Sequence, residues 1–239
     1  MSRLPALTRM ALRELFISYR WVPVIGLPAA AGLAVSAVPP ELAGLGALAG
    51  AGHVLALGLA CALPVIGAIA AGTLASERKR GTLAWMAVRA VPRSAVVTSW
   101  FLAFAGLLTA GIALGGVGAW LAALERAETP LDPGPFTVAV AGTLAIALLV
   151  VALGLVMGSV LGPLRAAALT LVLSGAGLAW GLFGPQVGNQ LLTGMLSVLN
   201  GLDLAMRPIG DAVGSAGLSL ACAAGLLVIA AAAIERADL

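Results

Sequence analysis

Residues 136–161 read FTVAVAGTLAIALLVVALGLVMGSVL, a run without a single charged side chain. As an α-helix rising about 1.5 Å per residue, it is long enough to cross the roughly 30 Å of hydrocarbon in a bilayer. Its apolar residues follow one another without the alternation that a lipid-facing strand requires, so helix is the only regular structure that satisfies its backbone there. Working outward, comparable runs occupy about 21–38, 48–75, 96–123, 167–184 and 214–234. Across all 239 residues, 61% are hydrophobic and 10% charged, with a mean hydropathy of +1.09. Soluble domains carry about 25% charged residues, and no water-soluble fold hides this much apolar surface. The expected fold is all-α integral membrane, with six transmembrane helices in a single transmembrane domain spanning 1–239.

The charges gather between the runs and orient them. Net charge is +3 and the isoelectric point is near 9.5, values that in a soluble chain suggest nucleic acid. Here the basic residues border membrane spans, so topology accounts for them and no nucleic-acid partner is expected. Arg3, Arg9, Arg13, Arg20, Arg78, Lys79, Arg80, Arg89, Arg93, Arg165 and Arg236 fall on one side of a six-span arrangement, and only Arg126 and Arg207 on the other. By the positive-inside bias, both termini and the basic loop are expected in the cytoplasm, in a multi-pass protein of the cell inner (plasma) membrane.

Between the spans the chain has distinct pieces. Residues 2–20 read as an amphipathic interfacial helix, with Leu4, Leu7, Ala11 and Leu15 opposite Arg9, Arg13 and Arg20, and are expected to lie apolar face down on the membrane surface. The spread of arginines over this stretch is unlike a cleavable signal, so the segment is expected to be retained. Pro130, Pro133 and Pro135 exclude regular helix from an acidic outer loop. Gly162, Pro163 and Arg165 form a turn so short that its flanking spans must be antiparallel neighbours. Residues 185–213 mix Gln186, Asn189, Gln190 and Asn200 with a helical apolar period, which fits a partly inserted outer segment and an outer gate. Trp21, Trp100, Trp120 and Trp180 near span ends suit an aromatic belt. Glycine pairs four residues apart (Gly46/Gly50, Gly111/Gly115, Gly154/Gly158/Gly162, Gly177/Gly181) permit close helix approach, with packing inside one subunit as their simplest role. Cys61 and Cys222 sit inside apolar runs with no Cys/His cluster, so no disulfide and no metal site are expected.

The chemistry-bearing stretch follows the second span: Ser76-Glu77-Arg78-Lys79-Arg80-Gly81-Thr82-Leu83, then Ala84 to Val91, then Pro92-Arg93-Ser94. Thr82 can cap a short helix running to about Arg89, which would present Leu83, Trp85 and Met86 as apolar anchors between two basic clusters. This pattern resembles the permease subunits of ATP-binding-cassette exporters of the second permease class. In those, an acidic-basic run, Gly-Thr-Leu, a short helix and a Pro follow span two; here these are Glu77, Arg78, Gly81, Thr82, Leu83 and Pro92. Ala84 stands where an acidic residue commonly follows Gly-Thr-Leu, and the Gly-Lys that often opens span three is missing. The resemblance extends to the amphipathic first helix, the six spans and the segment before the last one. It implies a cytoplasmic coupling helix, a separate ATPase subunit that supplies ATP and Mg, and a second permease, either a copy or a paralogue. Within the docking segment Trp85 and Met86 would be buried anchors, while Arg78, Lys79, Arg80, Arg89 and Arg93 would meet carboxylates.

The chain itself has no GxxxxGK[ST] loop and no soluble portion large enough to hold nucleotide, so it is not expected to be an enzyme without its ATPase. The sparing use of charge within the spans favours an apolar or amphipathic cargo. A non-transporting complex of the same class, acting in lipid extraction or signalling, shares all these features. A secondary carrier would need intramembrane ionisable groups, which the spans essentially lack. An intramembrane protease of the rhomboid kind would place its serine at Ser174, before Gly175, but Val172 stands where a glycine is required and the last span has no histidine. His53, the only histidine, reads most simply as a hydrogen-bonded structural residue.

Overall fold

A computed structural model describes residues 4–37, 47–81, 91–126, 133–183 and 209–236, and within them seven helices and no strand. They are α1 (Leu4–Ile17), α2 (Trp21–Ala37), α3 (Ala47–Lys79), α4 (Arg93–Arg126), α5 (Pro133–Val160), α6 (Pro163–Phe183) and α7 (Ile209–Arg236). Four stretches are long and apolar enough to cross a membrane: Leu57–Lys79, Arg93–Glu125, Phe136–Val160 and Ala216–Arg236. The α1–α2 pair, bent by 77°, makes up to a fifth. The described residues therefore form a multi-pass helical membrane protein with four or five candidate crossings, where the sequence led us to expect six. The expected six count α2 and α6 as separate crossings; α2 has 17 residues, about 26 Å of helix, and α6 has 21.

The corner between α1 and α2 is made by Tyr19, whose φ of 56° is left-handed. The Ser18 N–H still bonds Glu14 O at 2.9 Å, and the Tyr19 N–H turns back to Phe16 O at 3.2 Å. A non-glycine residue in this conformation costs about 1 kcal/mol, and no glycine marks the corner in the sequence. Helix α1 departs from expectation in its face. Ala11 and Leu15 are fully buried, and α1 packs on α4, so this part of its apolar stripe seals the bundle instead of facing the membrane surface. Met10, Phe16 and Ile17 are its exposed apolar residues.

Helices in a bilayer gain little from expelling water from one another, so they associate where small residues let their surfaces meet closely. Two such seams hold this bundle. In the first, α3 lies on α5: the carbonyl of Gly67 occupies the place of a Cβ at Gly154, and a Cβ at Gly158 would lie 2.5 Å from Ala71 O and 3.2 Å from the Leu74 Cβ. In the second, α2 lies on α4. The carbonyl of Pro28 occupies the place of a Cβ at Gly115, and a Cβ at Gly111 would be 2.9 Å from Ile25 O. The Gly111/Gly115 and Gly154/Gly158 pairs thus pack within the subunit. Gly162 and Gly177 face open space, and Gly46 lies outside the described residues.

Around these seams, Leu59, Leu63, Ile66, Leu108, Val151 and Leu155 fill the core. Trp100, expected in an aromatic belt, is 2% exposed and stands in this core beside Phe104. A helix apolar on every side gives no signal of which face turns inward, so the sequence could not separate the two positions. Trp21 packs against Phe16 and Trp120 against Phe136, with ring centroids 5.5 and 5.2 Å apart. Hydroxyls inside the helices donate to their own backbone: Thr73 to Ile69 O at 2.6 Å, Thr170 to Ala166 O at 2.8 Å and Ser174 to Thr170 O at 2.5 Å. Such bonds let polar side chains sit in an apolar environment.

The two kinds of glycine should separate on substitution. Gly154→Ala forces a methyl group into a backbone carbonyl and should lower stability by about 1–3 kcal/mol. Gly106→Ala, whose new methyl meets nothing within 4 Å, should be neutral or stabilising by up to about 1 kcal/mol. Unfolding midpoints in detergent micelles read both.

Candidate functional site

The flanks of the Glu77–Ser94 stretch are described, and its middle is not. Thr82, Leu83, Trp85, Met86 and Arg89 lie outside the described residues, as do the outer-gate residues Gln186, Asn189, Gln190 and Asn200. On the near flank, α3 stops at Lys79. The Arg80 N–H bonds Ser76 O at 3.0 Å, the Gly81 N–H bonds Arg78 O at 3.2 Å, and Gly81 takes a left-handed φ of 76°. This is the glycine stop of a helix C-terminus, in which the missing Cβ removes the steric cost of the turn. On the far flank, Pro92 precedes α4, and its carbonyl accepts the Ala95 N–H at 3.0 Å.

The basic side chains on these flanks are bound into the chain's own helix ends. Arg78 spreads its guanidinium over the end of α5: Nη1 donates to Ser159 O, while Nη2 donates to Val160 O at 3.2 Å and to Leu161 O at 2.9 Å. The last carbonyls of a helix have no partner within it and carry the negative end of its dipole, so a planar cation with several donors suits the place. Arg93 does the same for α7, its Nη1 donating to Ile234 O at 2.8 Å and Glu235 O at 3.1 Å. Arg80 Nη1 lies 3.3 Å from Glu77 Oε1 and 3.7 Å from Glu14 Oε1, linking α3 to α1. Glu77 is buried beside it. Arg20, in the α1–α2 corner, donates to the Thr73 hydroxyl at 3.0 Å. Lys79 is exposed.

The fold therefore brings the near and far flanks, α1, the α5–α6 turn and the end of α7 to one end of the bundle. Of the cations expected to meet a partner's carboxylates, Arg78, Arg80 and Arg93 have partners within the chain. Sequence reasoning found the residues but missed the bonds of Arg78 and Arg93, because the carbonyls they meet belong to helices about 80 and 140 positions further along the chain. The short α5–α6 turn is as expected: the Leu161 N–H closes α5 on Met157 O, Gly162 O accepts the first N–H of α6 from Ala166, and the two helices pack together. Cys61 and Cys222 are free, and no cluster of metal-ligating side chains occurs among the described residues. No family model matches the chain, and no curated protein matches it.

Removing the Arg78 fork leaves the part-buried carbonyls of Ser159 and Leu161 at the end of α5 without this partner. Arg78→Ala should cost about 2 kcal/mol in unfolding free energy, with Arg78→Lys recovering only part of it, since an ammonium lacks the planar fork. Arg80→Ala, which loses mostly solvent-exposed pairs, should cost no more than about 1 kcal/mol. Denaturation of the three variants in one detergent tests the order.

Proposed function

We propose that this chain is the permease subunit of an ATP-driven exporter of the ATP-binding-cassette class. It works with a second permease, a copy or a paralogue, and with two ATPase subunits that carry ATP and Mg. In this reading α2 to α7 are six crossings, α1 lies at the cytoplasmic interface, and the stretch from Glu77 to Ser94 is the docking element for the ATPase. Trp85 and Met86 supply its apolar contact and Lys79 and Arg89 its outward charge. The cargo is apolar or amphipathic, in keeping with spans that hold almost no ionisable groups.

One observation carries the reading beyond resemblance: both flanks of the docking element are fastened to other helices. A rigid-body displacement of the element passes through Arg78 to the α5–α6 turn and through Arg93 to the end of α7. Force applied by a closing ATPase would therefore reach three helices together, as a switch between two packed arrangements requires. An ordinary positive-inside loop needs positive charge but no such bonds to distant helix ends.

Replacing Trp85 and Met86 with Asp should abolish copurification of a nucleotide-hydrolysing subunit while the chain still inserts. Unchanged copurification and transport would overturn the proposal. Arg93→Ala should instead keep the ATPase bound but lower the transport achieved per ATP hydrolysed, measured in proteoliposomes. The orientation has its own test: Lys79→Cys, in a chain lacking Cys61 and Cys222, should react with a membrane-impermeant maleimide in inverted vesicles and not in intact cells.

A further inference from the structure

Helices α6 and α7 both pack on α5, and a groove of about 510 Å³ runs between them with α5 as its floor. Its volume is within the roughly 300–1,000 Å³ range of small-molecule sites. Ile146 and Leu153 line the floor, Ser174 and Gly177 one wall, and Cys222, Gly225 and Ile229 the other. The Ser174 hydroxyl is bonded to Thr170 O, so the groove offers an apolar surface to its occupant. The space exists because two glycines face it: a Cβ built on Gly177 or on Gly225 meets nothing within 4 Å. Cys222 and Ile229 are exposed, so the groove opens sideways at the depth of the hydrocarbon.

Its position along α7 says what fits. Arg236 follows Ile229 by seven residues, two helical turns, and so continues the same face about 10 Å further on. Cys222 lies about 21 Å from Arg236 on that scale. A phospholipid acyl chain hanging from a headgroup at Arg236 would thus pass Ile229 and end near the middle of the bilayer, beside Gly225 and Cys222. The charge agrees. Arg236 is exposed and has no ion pair among the described residues; Arg78, Lys79, Arg80, Arg93 and Arg165 share its end of the bundle with Glu14, Glu77 and Glu235. Among these residues at the end of the bundle, cations outnumber carboxylates.

We propose that this groove is a binding site for one acyl chain of an anionic phospholipid, drawn from the leaflet at the basic end and held by its headgroup at Arg236. The site belongs to the single chain and does not depend on an ATPase partner. It is tested with the full chain in phosphatidylcholine vesicles, to which phosphatidylglycerol or phosphatidylcholine spin-labelled at carbon 14 of one chain is added. Electron spin resonance should show a motionally restricted population that favours phosphatidylglycerol. Arg236→Gln should lower that preference about fivefold, the effect of one surface cation on an anionic lipid. Gly177→Leu combined with Gly225→Leu should fill the groove and reduce the restricted population itself. The first change is at the surface and leaves the fold intact, so it tests the headgroup arm even if the paired leucines perturb packing. A phosphatidylglycerol preference that Arg236→Gln leaves unchanged would overturn the proposal. So would efficient Cys222–Cys222 crosslinking in membranes of a Cys61→Ser chain, which would identify the occupant as a second copy.

Discussion

Within hydrocarbon a helix gains nothing by hiding its apolar side chains from water, so a bundle must be held by intimate surface contact and by satisfied helix ends. In this chain one line on α3 supplies both. Gly67, Ala71 and Leu74 lie against Gly154 and Gly158 of α5, and Arg78, the next residue on the same face, closes over the carbonyls at the end of α5. The seam fixes the separation of the two helices and the guanidinium fixes how far one extends along the other. With this pair set, α6 is placed by its short turn and α7 by its packing on α5 and by Arg93.

This arrangement gives the basic residues two functions. As a charge distribution they bias the chain to one orientation in a membrane, a long-range effect that depends little on geometry. As individual donors they complete the ends of α5 and α7, a short-range effect that depends on little else. The proposed docking element is interposed between Arg78 and Arg93, so the residues that would transmit motion are the same ones that stabilise the resting bundle. Weakening them to ease movement would loosen the fold. In the proposed permease, the helices would move as joined blocks.

Much of the fold was legible in the sequence because the relevant signals are one-dimensional. Uncharged runs located α3, α4, α5 and α7, Pro163 located the α5–α6 turn, and the spacing of Gly111/Gly115 and Gly154/Gly158 located two close approaches. What was not legible depends on direction around a helix axis. Trp100 and the Ala11–Leu15 stripe face the core, and nothing in an almost wholly apolar neighbourhood distinguishes inward from outward. The expected count of six crossings takes α2 and α6 as spans of their own, in addition to the four stretches that are long and apolar enough among the described residues. For the candidate site, Glu77 to Gly81 and Pro92 to Arg93 were found from the motif, while the acceptors of Arg78 and Arg93 come from helix ends that no local pattern connects to them.

The α5–α6 turn has a consequence for how this chain can vary. Only Leu161 and Gly162 separate the two helices, and Ala166, Thr170, Ser174 and Leu178 form the buried line of α6. One residue inserted there would shift the angular phase of everything after it by about 100°, carrying that line out toward lipid and bringing Leu169 and Leu173 inward. The length of this joint is therefore a more stringent inheritance than the identity of most side chains it connects.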